Sequence, residues 1–430
     1  MRTWIVWVVG VLAYASAVLQ RTSFGVAGVD AAERFGAPAG VVATFVVLQL
    51  VVYAAMQIPV GVLLDRFGSR LLITTGALVM AMGQVVMASA GSAPEGMIAR
   101  VLVGAGDAMT FASVIRLVPA WFAPRRVPIV TQMTGLLGQS GQIASAVPFA
   151  YALHSFGWSP SFLGSAAVAI VVLVLALALI RNAPAGVAPA VTAMAPGEIG
   201  RLLAETWRTP GTRLGIWTHY VTCFTPMTFA MMWGVPFLVL GEGRTAAEAS
   251  GLLALHVVAS LPCGPLLGSL TQRYPVRRSN LVLAVVAANA VPWIAVLCWP
   301  GPAPMWLLAI LALGLATGGP GSAIGFDFAR TFNPSHRLGT ATGLVIMGGF
   351  GGALVAILLI GILVDLAEGA GLSSHLAFRL AMGVQVPMLA AGVVGLLSAR
   401  RATRASVDLR VDPMHRALRR RFARRDEGRP

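Results

Sequence analysis

Ionisable side chains inside long apolar stretches are the residues of this sequence best placed to do chemistry. Asp107, Arg21 and Arg100 stand in such stretches, where each charge costs about 2.5–3.5 kcal/mol on insertion scales. Asp107 follows Arg100 by seven residues, so a helix would place both on one face about two turns apart. Two interpretations of Asp107 stay open. It takes up and releases a proton as an arginine moves, or it is a permanent structural counter-ion to Arg21 or Arg100.

Arg21 and its neighbour Gln20 are candidates for binding a ligand. The forked guanidinium of an arginine suits bidentate recognition of carboxylate or phosphate. The alternatives are that Arg21 is neutralised by Asp107, or that it lies close to lipid headgroups. His256 could hydrogen-bond a ligand or relay a proton, although a lone histidine in an apolar run is more often a packing residue. Further candidates for lining a cavity are Tyr220, Gln139, Gln142, His219, Tyr53 and Gln57.

The composition identifies the elements that must position these residues. The chain has 430 residues, of which 57% are hydrophobic and 11% charged. Soluble domains carry about 25% charged residues, so we predict an integral membrane protein. Residues 1–17 imitate a signal peptide, but the apolar run continues to about residue 29, which is too long for one. The three cysteines, Cys223, Cys263 and Cys298, stand in apolar runs and indicate no disulfide or metal framework.

Windows of about 19 residues predict twelve membrane spans. All should be helices, because a span must satisfy its own backbone hydrogen bonds in lipid. The spans fall near residues 4–28, 41–63, 71–91, 95–119, 128–150, 160–180, 214–238, 247–270, 280–299, 304–330, 338–364 and 376–399.

Arginine placement predicts the orientation. The chain has no lysine, and its arginines concentrate in alternate loops. By the positive-inside rule these loops and both termini are cytoplasmic. The net charge of +15 could indicate nucleic-acid binding, but 11 arginines lie in residues 400–429. A basic tail after a last span either contacts anionic headgroups or is simply solvated. We therefore expect no nucleic-acid partner.

An internal repeat divides the chain. Gly61, Leu63, Arg66 and Arg70 match Gly268, Leu270, Arg273 and Arg277 at an offset of 207 residues, while Asp65 corresponds to Gln272. Gly104, Pro124, Gly138 and Gly141 match Gly314, Pro334, Gly348 and Gly351 at an offset of 210. Such repeats are typical of secondary transporters, whose substrate site lies between the halves. We predict two pseudo-symmetric six-helix bundles (1–181 and 213–400), a cytoplasmic linker (182–212) and a basic tail (401–430).

The segment 61–70 resembles a signature of the major facilitator superfamily, G-x-L-x-D-R-x-G-x-R, through Gly61, Leu63, Asp65, Arg66, Gly68 and Arg70. Arg100, Gly104 and Gly106 resemble its second signature, and the resemblance extends over all twelve predicted spans. It implies the twelve-helix fold of that family and a role for Arg100 in proton coupling, beside the simpler interpretation of a helix-to-helix structural bond.

Two departures from the family pattern bear on function. The predicted fifth span, from Gly135 to Pro148, lacks the Gly-Pro pair of the antiporter signature, which weakens an efflux interpretation. The segment around Arg21 resembles the first span of anion-transporting members, but Gln20 replaces the acid expected beside the arginine.

The segment 61–70 itself is expected to be a conformational latch. On the cytoplasmic face Asp65 can approach Arg337 and the start of the eleventh span, where the helix dipole favours a carboxylate. The latch set comprises Gly61, Asp65, Arg66, Gly68, Arg70 and Arg337. Since Gln272 replaces the acid in the second half, the latch should exist on one side only.

We therefore expect a proton-coupled secondary transporter that imports a small organic anion by alternating access, with Asp107 and Arg100 in proton coupling. Proton-antiport efflux of drugs or metabolites and a non-transporting receptor or scaffold are the alternatives. No protease, phosphate-loop or nucleophile motif indicates an enzyme, and we expect no cofactor. We expect a monomer in the plasma membrane. Its expected partners are a small-molecule substrate, protons and the lipid bilayer.

Overall fold

The computed structural model describes residues 2–187 and 196–407. Within these ranges the regular structure is helical. The first bundle contains α1 Arg2–Val26, α2 Gly28–Phe35, α3 Ala39–Ser89, α4 Ala93–Trp121, α5 Val127–Gly138, α6 Ser140–Ala144, a π-helical segment Ser145–Phe149, α7 Ala150–Phe156 and α8 Trp158–Leu179.

A connecting helix and a second bundle follow. They contain a 3-10 turn Pro196–Glu198, α9 Ile199–Arg208, α10 Pro210–Thr228, a π segment Phe229–Trp233, α11 Gly234–Pro236, a π segment Phe237–Gly241, α12 Ala246–Arg273, a 3-10 turn Pro275–Arg277, α13 Arg278–Leu297, α14 Met305–Ala316, α15 Gly318–Ser322, α16 Ile324–Phe332, a 3-10 turn Ser335–Arg337, α17 Leu338–Gly369, α18 Ser374–Gly383 and α19 Gln385–Ser406.

The helices do not match the twelve predicted spans one for one. Among the described residues, ten helical segments are long and apolar enough to cross a membrane. Predicted spans two and three lie in the single element α3, which comprises two helices joined at Gly68 with φ 79° and ψ 170°. A Cβ there would overlap the Asn182 side-chain amide, so both the positive φ and the close contact require glycine.

The predicted fifth span is broken into shorter segments from Val127 to Phe156. Two glycines at the break allow close contact with α1. A Cβ on Gly138 would overlap the Tyr14 ring, and one on Gly141 would lie 2.1 Å from the Ala15 carbonyl oxygen. Pro148 lies in the π segment, where its missing N–H and its ring disfavour a regular helix. Hydropathy alone could not reveal this interruption, because every segment remains apolar.

The two bundles meet at one end of the molecule, which we call the arginine-rich end; it carries Arg66, Arg116 and Arg337. There α3 packs on α17 and α5 packs on α12. A buried cluster spans the contact and includes Tyr53 and Leu64 from the first bundle and Phe326 and Ala341 from the second. The candidate site lies in the first bundle, beside this interface.

Candidate functional site

Arg21 of α1 and Asp107 of α4 form an ion pair inside the first bundle. The Arg21 Nη1 atom lies 3.4 Å from Asp107 Oδ2, and the two side chains are 12% and 0% exposed. Neither carboxylate oxygen of Asp107 has a hydrogen-bond partner within the described part of the chain. A buried carboxylate normally accepts several hydrogen bonds. Asp107 therefore depends on one long contact with Arg21, and any movement of that guanidinium changes its electrostatic environment.

Arg100 contacts the backbone of α1 rather than Asp107. Its guanidinium donates to the carbonyl oxygens of Gln20 at 3.4 Å and Arg21 at 2.8 Å, and it lies 5.0 Å from the centre of the Phe24 ring. Arg100 is fully buried. This geometry holds α1 against α4 beside the ion pair, and it matches the helix-to-helix bond that the sequence left open as an alternative to proton coupling.

Gln20 ties α1 to α8. Its amide nitrogen donates to the Ser165 carbonyl oxygen at 2.8 Å, and its amide oxygen accepts a hydrogen bond from the Ser165 hydroxyl at 2.6 Å. Gln20 is fully buried. Because the amide nitrogen and the amide oxygen of Gln20 are both hydrogen-bonded within the first bundle, the side chain fixes the rotation of α1. It thereby sets the direction of the neighbouring Arg21.

Aromatic rings surround the guanidinium of Arg21. It interacts electrostatically with the Tyr14 phenol, and its Cζ atom lies 5.8 Å from the centre of the Tyr53 ring. The Tyr53 ring lies 4.6 Å from Phe350 of α17. The Tyr14 ring lies 4.7 Å from Phe111. Phe350 belongs to the second bundle, so the rings around Arg21 reach across the interface.

A second row of rings crosses the same interface. Phe111 of α4 lies 5.7 Å from Phe326 of α16, and Phe326 lies 5.3 Å from His219 of α10. His219 is 3% exposed, and its Nδ1 atom has no hydrogen-bond partner among the described residues. A Cβ on Gly349 would overlap this ring, so that glycine makes room for the imidazole.

The remaining predicted binding residues make contacts of their own. The Tyr220 hydroxyl donates to the Met388 carbonyl oxygen at 3.4 Å, between α10 and α19 of the second bundle. The His256 ring lies 6.4 Å from the Phe229 ring of the second bundle. Gln142 donates to Gln139 at 2.9 Å, and both side chains are exposed.

Asp65 connects the two bundles at the arginine-rich end. Its carboxylate is fully buried and accepts from the backbone N–H groups of Gly339 and Thr340 and from the Thr340 hydroxyl, each at 2.7 Å. These donors form the first turn of α17, where the helix dipole favours a negative charge. Arg116 of α4 lies 2.8 Å from Asp65 Oδ1 and 3.5 Å from the Ser335 carbonyl oxygen. The carboxylate thus closes the seam between α3 and α17.

The other predicted latch residues lie around this contact. A Cβ on Gly61 would lie 2.7 Å from the Gly339 carbonyl oxygen, so the glycine permits backbone-to-backbone packing. Arg66 is exposed and stacks on Phe67. Arg70 bonds Asn182 and Leu177 inside its own bundle, so its contacts do not cross the seam.

Arg337 contacts the linker rather than Asp65. Its guanidinium reaches Glu205 of α9 at 3.5 Å and Thr209 at 3.2 Å.

The opposite seam, between α5 and α12, has no carboxylate at the matching position. Gly268 packs on Pro128, Ile129 and Gln132, and Gln132 donates to the Pro320 carbonyl oxygen at 2.7 Å. Gln272, the repeat partner of Asp65, is exposed. The two seams therefore share their close glycine packing but differ in polar contacts.

Comparison with known families identifies the family of the chain. The family model of the Major Facilitator Superfamily matches residues 10–356, which is more than half of the chain. The chain belongs to the Major Facilitator Superfamily. It is a multi-pass membrane protein and, at the level of its family and fold, a secondary transporter.

One solved superfamily structure has the same fold. It is described as a Major Facilitator Superfamily transporter, FucP, in the outward conformation. The TM-score is 0.71 at 13% sequence identity, and the match covers 94% of this chain and 99% of that one.

The sequence alone did not indicate several residues that the structure places in contact at the site and at the seam. Arg116 has no distinguishing sequence signal, because its approach to Asp65 depends on the packing of α4 against α3. Tyr14, Phe111, Phe326 and Phe350 are aromatic residues in apolar spans, where rings that pack in a core and rings that line a site look alike. A single sequence does not show which aromatic residues of one bundle contact aromatic residues of the other.

Metal binding has no support in the described ranges. No group of three or more histidine, cysteine or acidic side chains there could hold a metal ion.

Proposed function

We propose that the protein is a proton-coupled importer of a small organic anion that works by alternating access. The observation that supports this most directly is the pairing of Arg21 with Asp107 beside the interface of the two bundles. The pair puts a cation that can bind a carboxylate next to a carboxylate that can bind a proton. An importer of this kind needs both groups in one place.

Competition for Arg21 supplies the coupling. When a substrate anion binds the guanidinium, Asp107 loses its one close cation while it remains buried. An isolated buried charge is strongly disfavoured, so Asp107 takes up a proton from the more acidic side. Both charges added to the site then balance, because one anion enters with one proton. Release of the anion on the other side lets Arg21 return to Asp107 and expel the proton. Arg100 positions Arg21 through its carbonyl contact with α1.

The Asp65 contact is proposed to govern access to the site. Closure of the arginine-rich end by Asp65 would leave the site accessible from the opposite side, as in an outward-facing transporter. Opening of the arginine-rich end breaks the bonds to Gly339 and Thr340. Because the other seam has Gln272 at the position that matches Asp65, the seam between α3 and α17 carries the larger polar cost of opening.

The membrane arrangement completes the proposal. Twelve crossings result if α3 crosses twice and the broken segment 127–156 crosses once. With arginines inside, the arginine-rich end and both termini face the cytoplasm of a plasma-membrane monomer. The tail beyond residue 407 lies outside the described residues.

Reconstituted vesicles test this proposal. A thermal-shift screen first identifies anions that stabilise the purified protein, since a bound ligand raises stability by RT ln(1+[L]/Kd). Uptake of the identified anion should then accumulate it against its gradient when the vesicle interior is alkaline. Asp107→Asn should retain binding but lose accumulation.

Asp327→Asn is the matched control. Asp327 is a nearly buried acid that pairs with Arg330 three residues along the same helix, at 3.0 Å, and its loss should leave accumulation in place. Wild-type accumulation by Asp107→Asn would refute the coupling role. Stabilisation of the protein by sugars or cations, with none by anions, would refute an anionic substrate.

A further inference from the structure

We propose that the substrate is a monoanion with a flat aromatic body, held by its carboxylate on Arg21 and by its ring between the aromatic side chains of the two bundles. The inference rests on the proposed function and adds the chemical class of the anion. Two independent features carry it: the number of cations available to a ligand and the kind of surface around them.

The positive charge available to a ligand at the site suits a single carboxylate. Arg21 and Arg100 are the two arginines that act electrostatically on Asp107. Arg100 is fully buried and donates to two backbone carbonyl oxygens of α1. Arg21 retains 12% exposure and is held to Asp107 by a contact of 3.4 Å. A second carboxylate on the ligand would meet no free guanidinium among these residues, and burying it unpaired is costly.

The surrounding surface fits a ring. The Tyr53 ring lies under the guanidinium and contacts Phe350. The Tyr14 phenol acts electrostatically on the guanidinium, and its ring contacts Phe111, which contacts Phe326. Ring pairs at these separations favour further offset or edge-on aromatic contacts. Each row begins in the first bundle and ends in the second, so a ring inserted between them would contact both halves. That contact would couple occupancy of the site to the relative movement of the bundles.

Sugars and cations suit this surface poorly. A sugar needs many hydrogen-bond partners, whereas the side chains that act on Arg21 are the Asp107 carboxylate and the two phenols of Tyr14 and Tyr53. A cation would be repelled, because two arginines, Arg21 and Arg100, act on the single carboxylate of Asp107. Burying an apolar ring against the aromatic rings of the site is favourable because it removes apolar surface from water.

A panel of four probes separates these features. Benzoate has the carboxylate and the ring, cyclohexanecarboxylate has a saturated ring, phthalate adds a second carboxylate, and benzyl alcohol lacks the charge. Binding to the purified full chain is measured by calorimetry at one pH. Benzoate should bind about tenfold more tightly than cyclohexanecarboxylate, the size expected for one good aromatic contact, and phthalate and benzyl alcohol should bind more weakly still.

The variant Phe350→Leu tests the ring contact directly. It keeps an apolar side chain while removing the ring, so it should abolish the preference for benzoate over cyclohexanecarboxylate and leave the affinity for cyclohexanecarboxylate near its wild-type value. Phe378→Leu is the control, because Phe378 is a buried ring that packs against Trp233 away from Arg21; it should preserve the preference.

The outcomes separate this inference from the proposed function. Equal or tighter binding of cyclohexanecarboxylate, or of phthalate, would overturn the aromatic monoanion while leaving an anion transporter. Failure of every carboxylate to bind would overturn both. An unchanged preference in Phe350→Leu would show that the rings only seal the interface, and would also overturn the inference.

Discussion

Replacing Asp65 with asparagine should open the arginine-rich end. The carboxylate accepts three hydrogen bonds of 2.7 Å from the first turn of α17 and pairs with Arg116. An asparagine whose oxygen occupies the Oδ1 position keeps the bond from Gly339, but its amide group faces the Thr340 N–H, so that bond is lost. The variant also loses the negative charge beside the helix N-terminus and Arg116.

The size of the effect follows from these losses. A hydrogen bond to a charged group contributes about 1.5–3 kcal/mol, and a charge at a helix end contributes about 0.3–1 kcal/mol. Together they suggest about 3 kcal/mol, which corresponds to a shift of about a hundredfold from the closed toward the open arginine-rich end. Substrate affinity of the outward-facing site should change little, since Asp65 does not contact Arg21 or Asp107, but the transport cycle should slow.

Distance measurements between spin labels test this directly. Labels at Arg125 and Gln272, both exposed at the arginine-rich end on opposite bundles, should report a single short distance in the parent protein after its native cysteines are replaced. Asp65→Asn should add a population at longer distance. Glu242→Gln is the matched control, because Glu242 is a buried acid that accepts the Ala303 N–H inside the second bundle. An unchanged distance distribution together with normal turnover in Asp65→Asn would refute the latch.

Two further perturbations test the binding group and the seam. Arg21→Lys should weaken binding of the identified anion by 1 kcal/mol or more, as measured by calorimetry, because an ammonium replaces the forked guanidinium; unchanged affinity would reject Arg21 as the binding group. Gly61→Ala should also open the arginine-rich end, because its Cβ would lie 2.7 Å from the Gly339 carbonyl oxygen and 3.0 Å from the Thr340 Cα. Gly135→Ala, whose Cβ would have nothing within 4 Å, should leave the spin-label distance unchanged, and a parent-like distance in Gly61→Ala would contradict the packing argument.

Much of the membrane architecture could be predicted because the determining features are local. Apolar runs of about 20 residues define spans wherever they fold, and the glycine-bracketed acid at Asp65 suggested a contact with the start of α17. The family assignment made from that segment is confirmed by the family match over residues 10–356. The broken segment 127–156 escaped prediction because its interruption depends on α1 packing against Gly138 and Gly141.

The partners of the charged residues were harder to predict. Seven residues along a helix separate Arg100 from Asp107, about 10 Å at 1.5 Å per residue, so the two cannot form a close pair on their own helix. The choice between Arg21 and Arg100 therefore depended on how α1 rotates against α4. Gln20 sets that rotation through Ser165 of α8, a contact between residues far apart in the chain.

The sequence by itself determined that this chain lies in a membrane, which residues are charged within it, and where a superfamily signature places an acid between two spans. These properties follow from the composition and from the order of residues within short segments. Only the tertiary structure decided that Asp107 meets Arg21, that Arg116 joins Asp65, and that aromatic rings from both bundles surround the guanidinium. Each of these contacts joins residues on different helices, and the faces that helices present to one another are set by packing across the whole bundle.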